Sequence, residues 1–231
     1  MKYLNIKNST DTQADIYFYG DIVGSEWEKW TGIDTAPQDV LNMLDQVKGK
    51  GLNIYINSGG GSVFAGLAIY NILKRHQGYK TVYVDGLAAS ISSVIAMAGD
   101  KIIVPSNAFM MIHSPWSWSM GNASDFRKLA DDLDRIEEGI MNVYADNLRE
   151  GVDIEIIREM VNAETWLNGN EAAKYFNIEV AEANNVAACI SDNFKSYRNV
   201  PEQLRRNEPE PEKKIDDNNE IEILKLTLEL L

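Results

Sequence analysis

The chain contains one cysteine, Cys189, and two histidines, His76 and His113, among 231 residues. A single thiol excludes an intrachain disulfide and suits a reducing compartment. Positive charge is also scarce, with 22 Lys and Arg against 35 Asp and Glu, a net charge of -13 and a pI near 4.6. Nucleic acid and anionic membranes both call for a basic surface, so neither is expected as a partner. No apolar run is long enough to span a bilayer, and the opening MKYLNIKNSTDTQ lacks the apolar core of a signal peptide. A cytoplasmic location is therefore expected. What remains, 45% hydrophobic and 25% charged residues, is the composition of an ordinary globular chain. Its length suits one large domain, or one domain with an appendage.

The apolar pattern alternates between strands and helices. Residues 16–19, 52–57, 80–85, 101–105 and 109–113 read as strands. Helices are expected over 37–48, where Pro37 lies in the first turn, and after residue 62, where Val63, Leu67, Tyr70 and Leu73 share a face. Residues 94–99 read as a short buried helix. A long helix is expected over 124–150, with Phe126, Leu129, Leu133, Ile136, Ile140, Val143 and Tyr144 in one stripe, followed by a helix over 153–161. Asn168 and Glu171 have capping-box spacing for a helix over 169–176. Such alternation predicts an α/β fold with parallel pairing and right-handed crossovers. After Asn199 the sequence becomes RRNEPEPEKKIDDNNE, a charged linker by composition, and residues 221–231 could begin an amphipathic helix. The expected division is 1–198 and 199–231.

Three stretches carry possible chemistry. Gly86-Leu-Ala-Ala-Ser90 joins an apolar strand to an apolar helix, which puts Ser90 beside helix amides that have no partner inside the helix. Small residues here equally suit tight helix packing. Gly59-Gly60-Gly61 follows a strand and precedes a helix, as an oxyanion cradle, a phosphate cradle or a plain turn would. The glycine-lysine-serine ending of a phosphate loop is absent. His113 ends an apolar strand, where a general base could stand, although a structural role is as compatible with that place. His76 closes a helix within Lys-Arg-His-Gln, an ordinary surface arrangement at a helix C-terminus.

Glycine loop, GLAAS turn and strand-ending histidine occur in an order that resembles the proteolytic subunit of Clp protease, most closely its phage and prophage head maturation branch. The resemblance runs from about residue 16 to 183 and rests on YINSGGGSVFAGLAIYNIL, DGLAASISSVIAMAGDKIIVPSNAFMMIHSP and AETWLNGNEAAKYFNI. It implies a spiral of repeated strand-strand-helix units, shared with crotonases, with a long protruding handle helix. It also implies Ser90 as nucleophile, His113 as base, Glu164 as the acid, and the Gly61 and Ile91 amides as oxyanion donors. Gly59, Gly60 and Ser62 would form the substrate-binding loop, and Asp153 is a weaker candidate for the acid. No metal or cofactor is implied.

This sequence departs from the family pattern in carrying Gly59 where the family has proline and Glu164 where it has aspartate. Its amino terminus matches no unfoldase-docking segment, so the resemblance gives little ground for an ATPase partner. The implied activity is endopeptidase hydrolysis of polypeptides, in a phage-type enzyme of capsid or scaffold proteins. The implied assembly is a homo-oligomer of heptameric rings, stacked in pairs, joined through residues 124–150 and a strand over 117–120. A crotonase-like acyl-CoA enzyme and a non-catalytic ring-forming assembly protein are the alternatives.

Overall fold

The computed structural model describes residues 9–183 and 192–205. Strand β1 (Gln13–Tyr19) leads through a polar loop to α1 (Pro37–Leu44), β2 (Gly51–Ser58) and α2 (Val63–Arg75). Next come β3 (Lys80–Ala89), α3 (Ile91–Ala96), β4 (Lys101–Pro105) and β5 (Phe109–Ile112). The remaining elements of this part are α4 (Ala123–Ala145), α5 (Ile154–Asn162), β6 (Thr165–Asn168), α6 (Gly169–Ala172) and β7 (Glu179–Ala181).

Strands β1, β2, β3, β4 and β7 lie side by side in that order, every neighbouring pair parallel. Parallel pairing demands crossovers, and helices α1, α2 and α3 supply them on the sequence's own spacing. The register sets Tyr17, Tyr55 and Tyr83 abreast on one face, where their rings stack with centroids 4.6 and 5.1 Å apart. Ile16, Ile54, Val82 and Val84 are fully buried within the core, together with Ile69 and Leu73 of α2. This is the expected α/β architecture.

Strand β3 is longer than its sequence suggests. Residues 81–83 pair with β4, whereas 87–89 pair with β5, so the small residues expected to form a turn are strand. Leu87, Ala88 and Ala89 have no exposure at all, and the small side chains of Ala88 and Ala89 let α3 fold back directly over the strand end. The helix then starts at Ile91, three residues before the expected 94. Strand β6 adds to β5 in antiparallel fashion, which ties the segment after α5 to the same corner of the sheet.

Helix α4 is capped by Asn122, whose side chain accepts from the Ser124 and Asp125 amides. Its apolar stripe divides in two. Ile140, Met141, Val143 and Tyr144 are buried, whereas Phe126 is half exposed. The strand expected over 117–120 does not form, since these residues find no strand to pair with in a single chain. Trp118 and Met120 are 82% and 87% exposed. The expected helix over 169–176 is one turn long before the chain bends away. Among the described residues, 9–183 and 192–201 belong to one compact unit. Cys189 and the amphipathic stretch 221–231 lie outside the described residues. Among the described residues no helix is long and apolar enough to cross a membrane.

Helices α2 and α3 meet where Gly66 faces Ile91. A methyl on Gly66 would lie 2.1 Å from Ile91 Cγ1, inside a side chain that is itself 2% exposed. Gly66→Ala is expected to destabilise the domain by about 1–3 kcal/mol, measured as a fall in the midpoint of denaturant unfolding.

Candidate active site

The pairing of β3 with β5 brings two functional groups together. Ala89 stands opposite Met111, and the next amide, that of Ser90, donates to the Met111 carbonyl at 2.8 Å. Two residues beyond Met111 the chain reaches His113, whose Nε2 lies 2.7 Å from Ser90 Oγ. One strand pairing thus holds both side chains. Ser90 has φ 54° and ψ −129°, a left-handed conformation that a side chain rarely adopts. Such a residue costs about 1–3 kcal/mol and persists only where its surroundings fix it, as these backbone pairings do. The turn lifts Oγ out of the sheet and leaves the Ile91 amide at the open first turn of α3.

The glycine loop packs against this turn so closely that side chains are excluded. A Cβ on Gly60 would lie 2.7 Å from Ser90 Cβ, and one on Gly61 would lie 2.1 Å from the Ile22 carbonyl oxygen. Both glycines have positive φ, 96° and 140°. Ile22 grips the loop by donating its amide to the Gly60 carbonyl at 2.7 Å and accepting from the Ser62 amide, also at 2.7 Å. A trans peptide unit points its N–H opposite to its C=O. The Gly60 carbonyl faces Ile22, so the Gly61 N–H faces away from it and lines the cleft beside Ser90. Ser58 Oγ, which accepts from the Gly60 amide and donates to the Gly20 carbonyl, and Ser92 Oγ, which bonds the Ser58 and Ala89 carbonyls, tie loop and turn together.

The cleft holds about 430 Å³. Gly61, Ser90, Ile91 and His113 line it, and Val63, Phe64, Val94, Leu133 and Ile140 make much of the remainder apolar. Tyr144 reaches the nucleophile turn from α4: its hydroxyl bonds Ser93 Oγ at 2.8 Å, and Ser93 Oγ donates to the Ser90 carbonyl at 2.6 Å. Among the described residues no group of three His, Cys, Asp or Glu side chains stands together as metal ligands would.

Glu164 is buried, with φ 52°. Its carboxylate accepts from the Arg198 and Asn199 amides at 2.9 and 2.6 Å, and among the described residues it makes no hydrogen bond to His113. It acts on the imidazole through charge. Burial pushes the His113 pKa below its ordinary value, the Glu164 carboxylate opposes that shift, and the Arg198 guanidinium adds to it. Asp153 is used elsewhere, capping α5 by accepting from the Glu155 amide at 3.0 Å. His76 bonds the Lys50 carbonyl at 2.7 Å and takes no part.

Tyr197 belongs to the site without having been foreseen. Its hydroxyl donates to the Gly59 carbonyl at 2.5 Å, and its ring meets His113 edge-on, with centroids 5.2 Å apart. Its only signal in the sequence is an aromatic residue just ahead of the polar tail.

Because the His113 pKa is lowered, the imidazole stays neutral at neutral pH, and reaction at Ser90 is expected to fall only below the ordinary histidine range. Glu164→Gln removes the influence that raises it, so the acid limb should move further down in pH. The rate of Ser90 phosphonylation, followed against pH in both proteins, measures the limb.

The model of the Clp protease family matches residues 9–180. An ATP-dependent Clp protease proteolytic subunit of Bacteroides fragilis is 33% identical over 157 residues, covering 66% of this chain and 73% of the relative. A Borrelia garinii protein of the same name is 30% identical over 144 residues, 62% of this chain and 73% of its own length. One from Chlorella vulgaris is 32% identical over 138 residues, 59% and 68% of the two chains. With a family match across that much of its length, the chain belongs to the Clp protease family of serine-type peptidases.

Proposed function

We propose that the chain is an endopeptidase in which Ser90 is the nucleophile, His113 the general base and Glu164 the acid that supports it. The observation that carries this is the 2.7 Å approach of Ser90 Oγ, held at a strained turn, to the Nε2 of a half-buried imidazole. In the proposed mechanism Ser90 Oγ attacks the scissile carbonyl while His113 Nε2 takes its proton. The carbonyl oxygen becomes an oxyanion between the Gly61 and Ile91 amides, two donors fixed before substrate arrives. His113 then gives the proton to the leaving amine, and water, deprotonated in turn by His113, releases the acyl group. Glu164 favours the imidazolium formed in both steps.

Substrate in this reading lies extended along the glycine loop at Gly59, Gly60 and Ser62, using backbone hydrogen bonds for affinity. The apolar part of the cleft beside Ser90 takes the side chain preceding the cut bond, which favours a leucine, methionine or phenylalanine there. The polypeptides we propose as natural substrates are capsid or scaffold proteins, on the resemblance of the motif segments to the phage and prophage branch.

Self-association completes the reading. Trp118, Met120 and Phe126 are exposed large apolar side chains on and before the free half of α4, a surface suited to burial against further copies. We take the assembly to be a ring, heptameric and stacked in pairs as the family resemblance implies.

A fluorophosphonate probe is expected to label wild type at Ser90, and Ser90→Ala and His113→Ala should each lower peptide cleavage by at least about a thousandfold. Cleavage of a peptide panel should be fastest with a large apolar residue before the cut bond. Labelling elsewhere, or full activity of either variant, contradicts the assignment. Separately, Trp118→Glu combined with Phe126→Glu is expected to reduce the assembled mass seen by light scattering while leaving the monomer's helical circular dichroism intact.

A further inference from the structure

The segment 192–201 returns to the site after the main fold is complete, and it is attached both to the glycine loop and to Glu164. On one side, the buried Tyr197 donates its hydroxyl to the Gly59 carbonyl. On the other, the Arg198 and Asn199 amides hold the Glu164 carboxylate, while Asn199 Nδ2 donates to the Ala163 and Glu164 carbonyls at 2.8 and 3.0 Å. Between these two attachments the Tyr197 ring covers an edge of His113 and also meets Trp166 at 6.1 Å.

The attachment matters because of what it fixes. Three consecutive glycines have no side chains to hold them and the widest backbone freedom of any residues. Each carbonyl that is pinned sets the plane of the next peptide unit. Ile22 pins the Gly60 carbonyl and so aims the Gly61 amide; Tyr197 pins the Gly59 carbonyl, one peptide unit upstream. Ser58 Oγ takes the Gly60 amide of that same upstream unit, so both of its ends are held. A buried phenol hydroxyl needs a partner, and here the partner is a carbonyl of the glycine loop.

We propose that Tyr197 is a positioning residue of the peptidase site, and that segment 192–201 is the clip which holds the glycine loop and the imidazole in register for reaction. The proposal rests on the assignment of Ser90 and His113 made above. Tyr197 acts through Gly59 and His113 and exchanges no proton with substrate. Its two functions are separable: the hydroxyl anchors the loop, and the ring keeps water from the imidazole. The charged groups that bear on His113 are Glu164 and Arg198, and Ser90 Oγ occupies Nε2.

The test uses the full chain, with the rate of fluorophosphonate labelling of Ser90 followed against pH for wild type, Tyr197→Phe and Tyr197→Ala. Tyr197→Phe keeps the ring and loses one hydrogen bond, so the plateau rate is expected to fall about tenfold with the acid limb unmoved. Tyr197→Ala should lower the plateau about a hundredfold, as a loosened site does, and move the acid limb upward towards the ordinary histidine range as water reaches the ring. Thermal melting establishes that each variant is folded; should Tyr197→Ala fail to fold, the Tyr197→Phe plateau decides alone. Wild-type rates and an unmoved limb in the folded variants overturn the positioning role while leaving Ser90 as nucleophile. Faster labelling of Tyr197→Ala would make the segment an obstruction and overturn it as well. Absence of labelling in folded wild type contradicts the nucleophile assignment itself, and the clip with it.

Discussion

A single backbone hydrogen bond, from the Ser90 amide to the Met111 carbonyl, governs the arrangement at the centre of this molecule. It closes the ladder between β3 and β5 at the point where β3 must turn into α3. Without it the left-handed conformation at Ser90 would lose the tie to β5 that helps oppose its cost. With it, the residue after the ladder is aimed out of the sheet, and the strand that provides the carbonyl delivers His113 two residues later. The separation of serine and histidine along the chain is therefore bridged by secondary structure, and their contact does not depend on a flexible loop.

The proposed oxyanion side of the site depends on a second backbone relation. Ile22, in the loop after β1, pairs with the glycine run as one residue of parallel bridge. Planarity of the peptide then turns the Gly61 amide towards the cleft, and the same close pairing forbids a side chain at Gly61. Loop and nucleophile turn are joined by Ser58 and Ser92, so neither can shift independently. Serine peptidase chemistry is assembled here from main-chain groups whose directions the sheet dictates, with few side chains added.

Much of this could be read in the sequence. Alternation of apolar strands and helices foretold the parallel sheet, and GLAAS with the strand-ending His113 marked the site, because both signals are local. The unread features depend on distant parts of the chain. The length of β3 is set by β5, which its own composition of glycine and alanine conceals. Residues 117–120 alternate like a strand, yet a strand needs a partner that one chain does not contain. Glu164 sits in the motif segment, but its hydrogen bonds go to Arg198 and Asn199, residues that straddle the expected end of the domain. Tyr197 reaches Gly59 across most of the fold, a relation without periodicity or spacing to betray it. The apolar stripe of α4 was legible as a face, whereas its division into a buried and a more exposed part depends on α3 and α5, which pack against the helix.

The most direct measurement is a crystal structure of the protein after phosphonylation by the fluorophosphonate probe. The account predicts phosphorus bonded to Ser90 Oγ with its phosphoryl oxygen about 2.7–3.1 Å from both the Gly61 and Ile91 amide nitrogens. A phosphoryl oxygen turned away from those amides into solvent, or an adduct on another residue, would contradict it.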